Sequence, residues 1–316
     1  MTGEVVRLRV QNKTLAKSES ERQRPWVALL AAGLLWATLS QPLPATDVSC
    51  ELDRAHERGI VEYLYDGDTI RLGNGRTVRL IGINSPELGR QDEPDEPLAK
   101  HARTRLAQLT PPSGTVQLRY DEVRRDRYGR TLAHLFLQDG TNVQEQMLLS
   151  GLATVITVPP NLWHLDCYRW AEARAQATGR GLWSLPEYQP VAAEQLTTDR
   201  TKGFRLVTGR VRRVTEGRYT IRLYLTERVA LQIPRSRLRY FTQYAPKELK
   251  GQRVLARGWL MPKRYGLGMT IHHPAALRVF DFSPEVMPIG SLPGADLYRP
   301  IRALFDLSAR HAQNQP

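Results

Sequence analysis

Short β-prone runs separated by tight turns set the strongest limit on the fold of the first half of this chain. Residues 60–64, 69–72 and 77–83 are rich in strand-forming side chains, and Gly73-Asn74-Gly75 separates the last two runs. Such runs joined by an Asn-Gly turn predict adjacent antiparallel strands in a hairpin. The pattern therefore predicts a β-meander over residues 60–83.

The following segment mixes helical and strand patterns. Apolar residues at 98, 102, 106 and 109 recur with a helical period, whereas residues 116–120 and 132–137 have the composition of strands. Two more helices are predicted over residues 142–152 and 162–177, the second ended by Gly179 and Gly181. The order predicts a mainly β protein with α-helices, in which a small β-barrel is closed by helices.

Positive charge is concentrated in one part of the 316 residues, which carry a net charge of +13. Residues 201–280 contain 18 Lys and Arg and three acids, whereas the rest has two more acids than bases. The apolar content of 41% excludes a disordered or collagen-like chain. The basic segment predicts a polyanionic partner, either nucleic acid or an anionic membrane surface, which charge alone does not separate.

The N-terminal 45 residues resemble a secretory signal. A polar, basic stretch precedes the 14-residue apolar run WVALLAAGLLWATL. A bilayer-spanning helix needs about 20 apolar residues, so this run better fits a signal peptide. Cleavage after Ala45, or after Ser40 as second choice, predicts a periplasmic or secreted protein, with a buried core helix or an uncleaved anchor as the alternative.

Cys50 and Cys167 are the only cysteines. A structural zinc site needs about four ligands, and the sequence has no CxxC or HxxxH spacing. In an oxidising compartment such a pair predicts a disulfide, with two independent buried thiols as the alternative.

Three clusters in the predicted barrel carry groups suited to phosphate chemistry. The segment DGDT at 66–69 places carboxylates at the edge of a strand, where oxygen ligands bind a hard cation such as calcium, although Asp-Gly is also ordinary in turns. Arg79 lies in an apolar strand, and RRDRYGR at 124–130 adds further guanidinium groups. Acids and forked cations together stabilise phosphoryl-transfer transition states.

The ordered blocks DGDT, RLIGINSPE, DRYGRTLAH, GLATV and EARAQATGRGLW resemble the staphylococcal nuclease (thermonuclease) family over residues 60–187. The resemblance implies an OB-type five-stranded barrel with three helices. It also implies calcium-dependent cleavage of DNA and RNA that leaves 3′-phosphate ends.

Matched motif by motif, the resemblance implies roles for individual residues. Asp68 and the main-chain carbonyl of Ser85 would bind calcium. Glu87 would orient or deprotonate the attacking water. Arg79 and Arg130 would hold the scissile phosphate, with Tyr128 beside a terminal phosphate.

Two positions depart from the family pattern. Asn84 stands where the family has a second metal-binding aspartate. Its amide oxygen can ligate calcium but adds no charge, so the resemblance leaves the affinity for the metal and the choice of metal open. The stretch ITVPP at 156–160 lacks the family's base-stacking tyrosines, so no base preference is implied. An acidic loop, Asp92, Glu93, Asp95 and Glu96, either concentrates calcium or is simply solvated.

Residues 203–281 predict a second, smaller barrel. Five β-prone runs and the blocks GRVRRV, LKGQRVLARGWL and GMTIHHP resemble small OB-folds that bind nucleic acid. Aromatic residues are interleaved with the positive charge: Tyr219, Tyr224, Tyr240, Phe241, Tyr244 and Trp259. They predict single-strand binding by stacking and phosphate contact, or alternatively the core of a basic structural barrel.

The predicted organisation is a signal peptide (1–45), a nuclease-like domain (46–190), a basic OB-like nucleic-acid-binding domain (203–281) and a linker with a short C-terminal helix (282–316). The predicted function is an exported calcium-dependent endonuclease acting on DNA or RNA, with no stable membrane span after cleavage. Two alternatives remain, a non-catalytic nucleic-acid-binding protein on the same fold and a protein whose basic face binds anionic lipid.

Overall fold

The computed structural model describes residues 50–89, 93–197, 203–264 and 266–280. The predicted signal peptide and the predicted C-terminal linker and helix lie outside these residues. The described residues belong to one compact unit, which contains a closed five-stranded β-barrel and an eight-stranded β-sheet. Within this part of the chain, no helix combines the length and the apolar content that a membrane crossing requires.

The first barrel and its helices follow the predicted order. They comprise β1 (Glu57–Leu64), β2 (Thr69–Leu72), β3 (Thr77–Leu80), β4 (Ile83–Asn84), α1 (Ala99–Leu109), β5 (Thr115–Arg119), β6 (Thr131–Phe136), α2 (Val143–Leu149), β7 (Thr154–Val155) and α3 (Leu165–Ala177). The barrel closes in the order β1-β2-β3-β6-β5. The predicted five-stranded barrel with three helices is confirmed.

The third predicted strand is shorter than expected, because the chain turns at Gly82. Gly82 has a φ of +85°, and a Cβ atom there would lie 2.6 Å from a ring carbon of Tyr168. Only glycine tolerates both the left-handed backbone and this close approach. Beyond the turn, Ile83 and Asn84 leave the barrel and pair with Val155 and Thr154 of β7. The turn thereby places Asn84 outside the barrel wall.

Cys50 and Cys167 are joined by a disulfide, with Cα atoms 5.6 Å apart across 117 residues of sequence. The bond connects the segment before β1 to α3, and both cysteines are buried. Among the described residues, these cysteines and Glu145 form the only group of three potential metal-binding side chains. Since the two sulfurs are bonded to each other, this group is a covalent crosslink rather than a metal site.

His134 of β6 is the centre of a buried polar cluster. His134 is 1% exposed, and its Nδ1 atom lies 2.7 Å from the hydroxyl oxygen of Tyr168. Its Nε2 atom lies 4.0 Å from the carboxylate of Asp121. Burial lowers the pKa of His134 to about 4, although Asp121 favours the charged form. The imidazole is therefore neutral at pH 7.

Acidification should destabilise the protein through His134. An unfolded histidine binds a proton near pH 6.5, whereas the folded His134, which faces Asp121, Arg119 and His164, does so near pH 4. The unfolded chain thus binds more protons between these values, so the free energy of unfolding should fall by up to roughly 3 kcal/mol as the pH drops through this window. Urea denaturation of the wild type and of His134→Gln across the window measures the effect. The same pH dependence in both proteins would contradict it.

The second barrel comprises β9 (Gly203–Arg210), β10 (Arg213–Glu216), β11 (Thr220–Tyr224), β12 (Val229–Pro234), β13 (Arg253–Lys263) and β14 (Gly266–Thr270), with β8 (Pro190–Ala192) and β15 (Leu277–Val279) at its margins. The strand order is β10-β11-β12-β14-β13-β9-β8. Only two residues separate β9 from β10. The two strands therefore act as one bent strand, which borders both β11 and β13. The predicted second barrel is thus present, with the same strand order as the first.

A buried ion pair joins the two barrels. Glu172 of α3 is 2% exposed, and both of its carboxylate oxygens accept hydrogen bonds from the Arg257 guanidinium of β13. Glu172 also accepts the Val155 N–H at 2.7 Å, and Arg257 donates to the Val155 carbonyl at 3.1 Å. The second barrel therefore holds β7, the strand that pairs with β4.

Candidate active site

Asp68 is the central carboxylate of the predicted site and is 1% exposed. Its Oδ2 atom accepts the Ser85 N–H at 2.7 Å and lies 3.0 Å from Nη2 of Arg79. Its Oδ1 atom accepts a hydrogen bond from the Thr69 hydroxyl at 3.0 Å. The hairpin register sets Thr69 opposite Arg79, which explains why Asp68 and Arg79 meet. Asp68 thus links the β2–β3 hairpin to the segment after β4.

Several hydrogen-bond acceptors hold the Arg79 guanidinium in place. It donates to the carbonyl of Ile83 at 3.0 Å, to Oδ1 of Asn84 at 3.1 Å, and to the carbonyl of Leu80. With its ion pair to Asp68, these bonds fix a side chain that is 13% exposed. The structure thus brings four predicted residues into one cluster, Asp68, Arg79, Asn84 and Ser85.

Close packing of a glycine positions this cluster. A Cβ atom on Gly67 would lie 2.7 Å from the side chains of both Ala102 and Ser85. Ala102 is on α1, so the DGDT turn fits between that helix and the segment after β4. A larger residue at position 67 would push Asp68 away from Ser85.

The oxygen atoms of this cluster suit a hard cation. Asp68 supplies a carboxylate, Asn84 an amide oxygen and Ser85 a carbonyl that accepts the Asn84 amide N–H at 3.0 Å. The Ser85 hydroxyl is buried without a hydrogen-bond partner. Oxygen donors of this kind are what calcium and magnesium prefer. The donor set fits one such ion, with Asp68 as its only charged member.

Asp66 is a further ionisable group in the cluster. Its burial and perturbed pKa were not predicted from the sequence. Burial raises the pKa of Asp66 to about 7, the negative charge of Asp68 adds to the effect, and Glu87 contributes further. Asp66 Oδ1 also accepts the Asp68 N–H at 2.9 Å. The DGDT motif was visible in the sequence, but the burial of its first carboxylate depends on tertiary packing.

Glu87 is exposed, and the acidic loop holds its backbone in place. Glu96 accepts the Glu87 N–H at 3.0 Å, and the Glu96 N–H donates to the Glu87 carbonyl at 2.9 Å. Asp95 accepts the Gly89 N–H at 2.9 Å and pairs with Lys100 at 3.1 Å. Two of the four acids in the loop therefore position residues 87–89, a role that the sequence did not predict. Asp92 lies outside the described residues.

Arg130 and Tyr128 form a second group, on the loop before β6. Asp126 accepts the N–H groups of both residues at 2.9 Å and the Arg130 Nε–H at 2.7 Å. Burial opposes the ionisation of Asp126, but the bonds from Arg130 outweigh it and hold the pKa of Asp126 below its usual value. Asp126 is thus a positioning residue. It lies within the segment RRDRYGR, but no role was predicted for it.

The two groups lie close to the neighbouring strands β3 and β6. Parallel pairing of β3 with β6 sets Val78 beside Thr131 and Arg79 beside Leu132. Among the described residues, Arg130 makes no hydrogen bond to Asp68 or Asn84. Tyr128 is 69% exposed. The predicted residues therefore form a buried cluster around Asp68 and a more exposed pair, Arg130 and Tyr128.

The comparisons with known proteins agree with this barrel. The profile of the family described as "Staphylococcal nuclease homologue" matches residues 77–185. Thermonuclease from Staphylococcus hyicus is 30% identical over 162 residues, which cover 50% of this chain and 92% of that protein. The chain belongs to the staphylococcal nuclease family.

Two further relatives extend the comparison. Thermonuclease from Staphylococcus intermedius is 34% identical over 131 residues, covering 40% of this chain and 76% of that protein. Endonuclease YncB from Bacillus subtilis (strain 168) is 36% identical over 146 residues, covering 45% of this chain and 64% of its own length. The chain thus spans less than two thirds of that endonuclease.

Proposed function

We propose that this protein is an exported, calcium-dependent endonuclease that hydrolyses DNA or RNA to 3′-phosphate ends. The observation that carries the proposal is the Asp68 carboxylate, which binds both Arg79 and the Ser85 backbone inside a nuclease-family barrel. The relatives named as nucleases support hydrolysis. The predicted leader and the disulfide between Cys50 and Cys167 support export, since disulfides persist in oxidising compartments.

Asp68, Asn84 and the Ser85 carbonyl are the groups that would hold calcium. When bound, the ion supplies positive charge to the phosphate oxygens. The protein supplies only one full negative charge through these three ligands. The nearby guanidinium of Arg79 carries positive charge into the same cluster.

The remaining roles follow from the chemistry of each side chain. Glu87, exposed and fixed through Glu96, takes a proton from the attacking water. The water oxygen bonds to phosphorus as the bond to the 5′-oxygen breaks, and that oxygen takes up a proton. Arg79 and Arg130 bind the phosphate oxygens as their charge grows. Tyr128 lies beside Arg130, where it contacts a terminal phosphate.

A digestion assay tests this function. The full chain should cleave DNA and RNA in calcium and fail to cleave in excess chelator, and the products should carry 3′-phosphates. The variant Asp68→Asn should lose cleavage in calcium. Equal digestion with calcium and with chelator would remove the calcium dependence, and no digestion by the wild type would favour a binding protein on this fold.

Asn84→Asp should lower the calcium concentration for half-maximal cleavage by about tenfold, corresponding to roughly 1.4 kcal/mol. A second carboxylate near Asp68 adds negative charge, and a unit charge at about 4 Å contributes on the order of 4 kcal/mol at an effective dielectric of about 20, before desolvation offsets much of it. Calcium titration of cleavage measures the midpoint.

The matched control is Asn74→Asp, which adds the same charge in the exposed β2–β3 turn. An unchanged or higher midpoint for Asn84→Asp would place residue 84 outside the shell of the metal ion.

A further inference from the structure

The outer face of the second barrel carries cationic, aromatic and polar side chains in register across four strands. Arg213 of β10 pairs with Tyr224 of β11, and Arg222 of β11 pairs with Gln232 of β12. Beyond β12, the row that contains Gln232 continues through Thr270 of β14. Side chains alternate along a strand, so these residues share one face of the sheet.

The opposite face of the same strands forms the barrel core. Ile221 and Leu223 alternate with Arg222, and both are buried within the second core together with Leu231 and Ile233. The aromatic Tyr224 therefore lies outside the core, with Arg213 3.8 Å above its ring. The tip of the β10–β11 turn adds Tyr219, which is 72% exposed and has Arg218 5.2 Å from its ring.

The first barrel covers one end of this outer face and leaves the other end open. Phe204 and Leu206 of β9 are buried against Ala175 and Trp183. The strands β10 and β11 lie at the uncovered end, where Arg213 is exposed. The face thus runs from an open basic region to the junction between the barrels.

At the junction, the face ends in a groove of about 220 Å³. Trp259, Met261 and Lys263 of β13 line one side, and Thr157 and Val158 line the other. Met261 and Val158 are 47% and 50% exposed, so the groove has apolar surface open to a ligand.

The groove adjoins the candidate active site through the backbone. Its lining residue Val155 pairs with Ile83, and Thr154 pairs with the candidate metal ligand Asn84. A chain bound along the face and through the groove would therefore arrive at the β4–β7 ribbon that carries the site.

We propose that this outer face binds a single-stranded nucleic acid and leads it through the inter-barrel groove to the active site. The proposal rests on the proposed nuclease function and names its substrate class as an extended single strand. Cations spaced along a face bind successive phosphates, and aromatic rings stack on unpaired bases, whose faces a duplex keeps covered. The strong positive charge of residues 201–280 is complementary to such a polyanion.

Binding is measured on the full chain in chelator, so that no cleavage occurs. The probe is a fluorescent oligothymidylate of about 20 nucleotides, longer than the roughly 4–16 nucleotides that one OB-fold covers. The test variant is Arg213→Ala/Arg218→Ala. The matched control is Lys247→Ala/Lys250→Ala, which removes the same charge from the segment between β12 and β13.

The test variant should bind the single strand about tenfold more weakly than the wild type and the control. Its slope of log affinity against log salt should be smaller by about 1.4, since each single-strand phosphate contact contributes about 0.7. Duplex of the same length should bind more weakly than the single strand. Cleavage of a thymidine dinucleotide in calcium should be the same in all three proteins.

Equal single-strand binding by the test and control variants would overturn the proposal, as would duplex binding as tight as single-strand binding. Loss of dinucleotide cleavage in the test variant alone would also overturn it, because the substitutions would then act on the active site itself. If the wild type cleaves nothing but the binding differences hold, the nuclease proposal fails and the binding face stands.

Discussion

Glu87→Gln should reduce the rate of cleavage by about 10²–10⁴, the range that a positioned general base contributes. Glutamine keeps the shape of the side chain but accepts no proton from water at neutral pH. Because Glu87 is exposed, the substitution should leave the free energy of unfolding within about 0.5 kcal/mol of the wild type. Initial rates on DNA in saturating calcium, with urea denaturation alongside, measure both.

Glu62→Gln is the matched control, since Glu62 is exposed and pairs with Arg71 at the surface of β1. Its cleavage rate should equal that of the wild type. Arg130→Ala should lower cleavage by about 10²–10³ through loss of a phosphate contact. Arg79→Ala is a poorer test, because it also leaves the buried Asp68 carboxylate without its cation. Cleavage near the wild-type rate by both Glu87→Gln and Arg130→Ala would rule out the proposed mechanism.

Arg257→Ala should lower the free energy of unfolding by about 3–5 kcal/mol, the usual cost of removing one partner from a buried ion pair. Glu172 is 2% exposed, and the substitution removes the guanidinium that pairs with its carboxylate. The Val155 carbonyl also loses a hydrogen-bond donor. The expected loss is large because Glu172 is buried on α3 and Arg257 of the second barrel is the cation that pairs with it. Urea denaturation of the full chain measures it.

The control is Arg71→Ala, which breaks the exposed surface pair with Glu62 and should leave the free energy of unfolding close to that of the wild type. The double variant Glu172→Leu/Arg257→Leu should be more stable than Arg257→Ala, because no buried charge is left unpaired. If Arg257→Ala were no less stable than Arg71→Ala, the ion pair would not hold the barrels together.

The succession of strands and helices along the chain was predictable because its signals are local. Glycine turns and β-prone runs act over a few residues, and the DGDT and RLIGINSPE motifs predicted the grouping of Asp68, Arg79, Asn84 and Ser85. The break at Gly82 was not predicted, because it depends on the ring of Tyr168, which is far away in sequence.

Contacts between distant segments account for the other missed features. Glu172 and Arg257 are 85 residues apart, and nothing in either segment indicates that one side chain is buried against the other. The perturbed pKa of Asp66 likewise depends on burial beneath residues that come from several elements. By contrast, Asp126 is four residues from Arg130, so a pairing at that spacing could have been predicted from the sequence.

The disulfide gives the candidate site a property beyond stability. Cys50 and Cys167 enclose every predicted catalytic and metal-binding residue, from Asp68 to Arg130, within one covalent ring. A protease that cuts a single peptide bond inside the ring opens it but separates nothing, because the two pieces stay tied through the sulfurs. The oxidised protein can therefore be nicked once between these cysteines and remain one molecule with both halves of its site, whereas the same nick in the reduced protein yields two chains held only by packing.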